Sequence, residues 1–71
     1  MNPKEWIEKA TEEISQKEKF IAEVEDMIGS DYSRHRTAME GSQKEISFLE
    51  TGIKIMKSLL EEIDELNDLL E

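Results

Sequence analysis

Residues 48–60 read FLETGIKIMKSLL, and they carry two apolar rows. Leu49, Ile53, Met56 and Leu60 follow one another at spacings of four, three and four. Phe48, Gly52, Ile55 and Leu59 repeat that rhythm one residue earlier. Alternating spacings of three and four place side chains along one line of a helix surface, so each row marks a helical face. The first row extends outward through Ile46, Ile63, Asn67 and Leu70 as an a/d heptad seam, the pattern of helix-on-helix packing. The second extends through Glu62, Leu66 and Leu69. At 100° per residue the two rows together cover an arc of roughly 160°, wider than the ~100° stripe of a helix with a single covered side.

A first helix precedes this one. Asn2 is suited to an N-cap, Pro3 to the first helical position, and Glu5 stands three residues after the cap. Ile7, Ile14, Ile21 and Ile28 recur every seven residues, with Ala10 and Val24 on the d row and Lys17 interrupting it. Trp6, Phe20 and Met27 lie on the neighbouring row, where they close over the edge of the second helix or, for Trp6, anchor a partner. Gly29 is a natural stop. From Ser30 to Ser42 the periodicity fades. This segment reads either as a connection with a short helix around residues 34–40, or as a helix that starts near Ser30 and continues. Gly41 followed by Ser42, with Glu45 three residues on, matches a helix stop and a new capping box, which favours a break. The expected fold is therefore all-α: one domain, residues 1–71, with a helix over 3–28, a connection over 29–42 and a helix over 43–70. The two long helices, each about 40 Å at 1.5 Å per residue, form an antiparallel coiled-coil-like hairpin.

Composition limits the chemistry. The chain has 71 residues, no cysteine and a net charge of −9. Disulfides and thiolate metal sites are excluded. An acidic chain is poorly matched to nucleic acid or to an anionic membrane surface. No apolar run approaches a membrane span, and the opening MNPKEWIEKA lacks a signal-peptide core, so a soluble cytoplasmic protein is expected. His35, the single histidine, stands between Arg34 and Arg36 without companion ligands, and the RHR triplet is too short for a phosphate-tracking surface. The adjacent carboxylates Glu12–Glu13 and Glu61–Glu62 have no pocket to desolvate them. No catalytic, cofactor-binding or metal-binding residue is expected, and the protein reads as not an enzyme. Lys57 is the last basic residue, so the acidic end opposes the helix macrodipole and its last turn is expected to fray unless covered.

The function-bearing expectation concerns the second row. A first helix with a narrow apolar face covers one side of the wide arc and leaves the other. Phe48, Gly52, Ile55, Leu59, Leu66 and Leu69 are the expected partner-binding residues; Gly52 either allows close approach of another backbone, or is merely tolerated or allows close packing within the hairpin. The partner is another protein or a second copy, giving a hetero- or homo-oligomer.

The run Leu49-Glu50-Thr51-Gly52-Ile53-Lys54-Ile55-Met56 resembles the second-helix pattern of the YscE-like co-chaperones of type III secretion needle subunits: Leu-Glu, a small residue, then aliphatics. That resemblance covers about eight residues closely and the second helix loosely. The spacing from Tyr32 to Leu49 is longer than in that family, and the acidic end is additional. The resemblance implies a cytoplasmic, non-enzymatic helical hairpin that binds a tetratricopeptide-type chaperone and helps keep a needle subunit soluble before export. The residues alone leave two alternatives: a self-associating four-helix-bundle protein, or a small acidic regulator.

Overall fold

The computed structural model describes residues 2–70, so the two end residues of the single-domain reading lie outside it. The chain forms two α-helices, α1 (Pro3–Glu25) and α2 (Ser30–Leu70), packed against each other as an antiparallel hairpin. The all-α hairpin expected from the heptads is thus present, but its proportions differ from expectation.

The start of α1 is as the sequence indicates. The Asn2 side-chain oxygen accepts the Glu5 amide at 2.9 Å, and Pro3 occupies the first turn, where no donor is needed. The helix ends at Glu25, three residues short of Ile28. The Asp26 amide still reaches the Ala22 carbonyl at 3.2 Å, and the Met27 amide tightens onto Val24 at 3.0 Å. This final tight turn folds Met27 inward over the end of the hairpin and throws Ile28 out into solvent. Gly29, with φ of +65°, then reverses the chain in the left-handed region that a side chain disfavours. Its carbonyl accepts the Ser33 amide at 3.2 Å, which begins α2 at once.

The expected connection over 29–42 is therefore a correction. The turn occupies residues 26–29, and the segment expected to hold a break or a short separate helix is the first third of one continuous helix. Packing decides against the local stop signals. Met39 is buried, and Ser42 and Ile46 are half-buried along the side that meets α1. Once these contacts form, the propensity penalty at Gly41 is too small to break the rod. A Cβ on Gly41 would meet nothing within 4 Å, so no contact requires glycine there.

The helices are also unequal. With 41 residues against 23, α2 runs ~62 Å and α1 ~35 Å. The longest dimension of the molecule, 62 Å, is that of α2 itself. The radius of gyration is 17.3 Å, against about 11 Å for a compact domain of this length.

Two contacts fix the register. Trp6 lies on Gly52, and Lys17 Nζ sits 2.6 Å from Glu45 Oε2. The second explains the lysine that interrupts the apolar row of α1: it crosses to a carboxylate on α2. The hydrogen bond to Glu45 raises the Lys17 pKa above its ordinary value, with the charges of Glu45 and Glu13 adding to the effect and desolvation opposing it. Side chains buried among the described residues are Ala10, Val24 and Met39, so the core is one thin line between two rods.

Two outcomes are expected. Gly41→Ala raises stability by about 1 kcal/mol, read as a higher urea midpoint at unchanged slope. Glu45→Gln lowers stability slightly and flattens the alkaline limb of thermal melts. The Lys17 contribution is complete below its ordinary pKa of 10.5 and is lost as pH rises through the raised value, so only the chain with Glu45 shows that loss.

Candidate binding surface

The site is a surface along α2. The a/d seam points at α1 over its first part: Ile46, Leu49, Ile53 and Met56 are half-buried. The second row sits roughly 100° round the helix from that seam, on its flank. Its large members are all exposed: Phe48 by 74%, Ile55 by 55%, Leu59 by 42%, Leu66 by 59% and Leu69 by 83%. One rigid helix thus presents an apolar strip about 30 Å long from Phe48 to Leu69.

At Gly52 the structure shows close packing within the hairpin, the second of the two readings. A Cβ at this position would overlap the Trp6 indole at Cη2, with Cζ3 and Cζ2 at 3.1 and 3.2 Å. The close approach is made by the chain's own tryptophan, half-buried across the edge of the hairpin. Gly52 therefore contributes to the surface by seating Trp6 beside the strip. The indole, with Lys9, Ala10, Glu13 and Leu49, lines an open depression of about 220 Å³. That is below the ~300–1,000 Å³ of typical small-molecule sites, and most of its lining is hydrocarbon.

Two seam residues join the surface although the sequence reading assigned them to the hairpin. Ile63 is 44% exposed and Leu70 85% exposed, because α1 begins opposite the middle of α2 and none of the other described residues covers 61–70. Asn67, expected at a paired a position, is exposed for the same reason. The signal that could have found them was the length mismatch, hidden by placing a connection at residues 29–42. α2 is helical to Leu70, the last of the described residues. Acidic side chains in this overhang (Glu61, Asp64, Glu65, Asp68) project away from the apolar strip, so the segment is amphipathic as well as uncovered.

His35 and Arg36 are occupied locally. His35 lies on α2, where Nδ1 donates to the Asp31 carbonyl at 2.9 Å. Arg36 pairs with Glu40 at 3.0 Å, one turn on. Among the described residues no group of three His, Asp or Glu side chains is placed to hold a metal ion, and no helix is long and apolar enough to cross a membrane. Comparison with protein-family models, with curated proteins and with solved structures finds no match to this chain.

The Trp6–Gly52 contact generates a double-mutant prediction. Gly52→Ala in the native background displaces the indole, red-shifts the emission of the single tryptophan and lowers stability. In a Trp6→Leu background the same change stabilises by up to about 1 kcal/mol, the ordinary helix-propensity gain. Equal effects in both backgrounds would show that Trp6 and Gly52 are not coupled.

Proposed function

We propose that this protein is a non-enzymatic protein-binding subunit that works through the exposed apolar strip of α2. The observation that carries the reading is the strip itself: five large apolar side chains exposed in line on one rigid helix. Leaving each of them about half in water forgoes roughly 1 kcal/mol. Summed over the strip, that is comparable with the whole stability of a small domain. The chain exposes 5767 Å², against ~4,600 Å² for a compact monomer of its mass. Contiguous apolar surface of this extent marks an interaction site.

The narrower proposal is a cytoplasmic co-chaperone that binds a partner chaperone and helps keep a type III secretion needle subunit soluble. The pattern at Leu49–Met56 supports it, together with a physical fit: an aggregation-prone amphipathic helix is kept apart by covering its apolar face, and a hairpin with spare apolar surface needs a partner of its own. The acidic overhang suits a partner with basic side chains around an apolar groove.

The test is affinity capture with Ile55→Asp and Leu59→Asp. Both side chains are exposed, so helix content by circular dichroism stays within a few per cent of the native chain, while partner capture from the source cells is lost. Undiminished capture by both variants would retire the strip as the binding surface. A captured set without a tetratricopeptide-type chaperone retires the co-chaperone reading and leaves the binding subunit.

A further inference from the structure

The seam of α2 runs on past the end of α1. Leu60 is half-buried at the limit of the hairpin, and the row continues through Ile63, Asn67 and Leu70, all exposed. In this overhang the second row joins it. On a wheel of 100° per residue, Leu59, Leu60, Ile63, Leu66 and Leu70 share one face of roughly 120°. Asp64 borders that face on one side and Glu62 on the other, each about 40° beyond its edge. The last fourteen residues, 58–71, hold six carboxylates and no lysine or arginine, so six of the nine net negative charges of the chain lie there. Glu61 with Glu65, and Asp64 with Asp68, stand at i,i+4, where like charges destabilise a helix.

We propose that a cationic amphipathic helix of a partner protein docks on this overhang, antiparallel to α2 and in line with α1. This rests on the reading of α2 as a binding surface, and it names the partner's element and the chemistry that recognises it.

The hairpin itself shows how this seam is covered. Over the first part of α2, α1 lies antiparallel on the seam, meets it with apolar residues at spacings of three and four, and sends Lys17 across to Glu45 at 2.6 Å. The overhang continues that established interface without its second helix, and its carboxylates suit further cations of the same kind. A helix that carries on from α1 over residues 57–70 needs about fourteen residues, ~20 Å. It has an apolar stripe facing Ile63 and Leu70, and lysines or arginines on both shoulders to meet Asp64 and Glu62. The macrodipoles favour the same direction. The positive amino end of the docked helix lies beside the C-terminal end of α2, which has no basic residue in its last turn, and its carboxyl end faces the start of α1 at Asn2. Charge disfavours the other occupants. A second copy of the overhang sets carboxylates against carboxylates, and nucleic acid and anionic membrane carry the same sign.

The probe is a synthetic, tryptophan-free helical peptide of about 18 residues, with leucine at a and d and lysine and alanine elsewhere; a second peptide carries glutamate for lysine. Titrated into the full chain, the lysine peptide is expected to bind saturably and the glutamate peptide not to bind. Ile63→Asp, at an exposed position, weakens the binding by about tenfold or more. The pair Glu62→Lys and Asp64→Lys does the same and confers affinity for the glutamate peptide. Phe48→Asp, exposed and outside the overhang, leaves the binding unchanged. A nitroxide at the carboxyl end of the bound peptide comes within ~10 Å of Trp6 along the axis and quenches the emission of this single tryptophan, whereas one at the amino end lies ~25 Å away and does not. No saturable binding by several hundred micromolar overturns the proposal. Binding indifferent to Ile63→Asp is charge attraction alone and overturns it too, as does an equal loss with Phe48→Asp or quenching from the amino end. If it falls while partner capture through Ile55 and Leu59 persists, the helix docking fails and the binding reading stands. If capture is also insensitive to Ile55→Asp and Leu59→Asp, both fail.

Discussion

An α-helix rises 1.5 Å per residue whatever its sequence, and this constraint sets the character of the molecule. A first helix of 23 residues lies against a second of 41, so the second cannot be covered along its length. Where the helices overlap, a thin core forms around Ala10, Val24 and Met39. Where they do not, residues 61–70 of α2 stand free, and Ile63 and Leu70 become surface although their spacing is that of a seam. The overlap region has a second uncovered face as well, because α2 carries two apolar rows and α1 can occupy only one side.

The two inter-helix contacts that hold the register work through different physics. Trp6 on Gly52 is a shape match, in which a missing side chain makes room for an indole. Lys17 with Glu45 is a charge match placed where the apolar row of α1 is interrupted. Both contacts join residues distant in the chain, and a slip of either helix by one turn would lose both. The consequence for function is that the exposed strip is held on a stiff rod in a defined orientation. Any partner therefore meets a preformed surface.

The three glycines show where reasoning from sequence reaches its limit. All three look like interruptions. Gly29 makes the reversal, with the one positive φ among the described residues. Gly41 sits in an unbroken helix with open space where a Cβ would stand. Gly52 lies under a tryptophan 46 positions away. Local chemistry supplied the same reading for each, namely a stop or a close approach. Only the neighbour brought by folding separates them.

The sequence by itself determined the N-cap at Asn2 through its residue types and the antiparallel pairing through the turn between two helices; periodicity determined the helical class and the row from Phe48 to Leu69, because a repeat of three and four residues specifies which side chains share a face regardless of what they pack on. It did not determine where α2 begins, how far α1 reaches along it, what Gly52 touches or which seam residues stay in water. Those depend on contacts between residues far apart in the chain. At Gly41 and Ser42 the contacts made by Met39 and Ile46 outweigh the local stop signal, and only the tertiary structure contains that term.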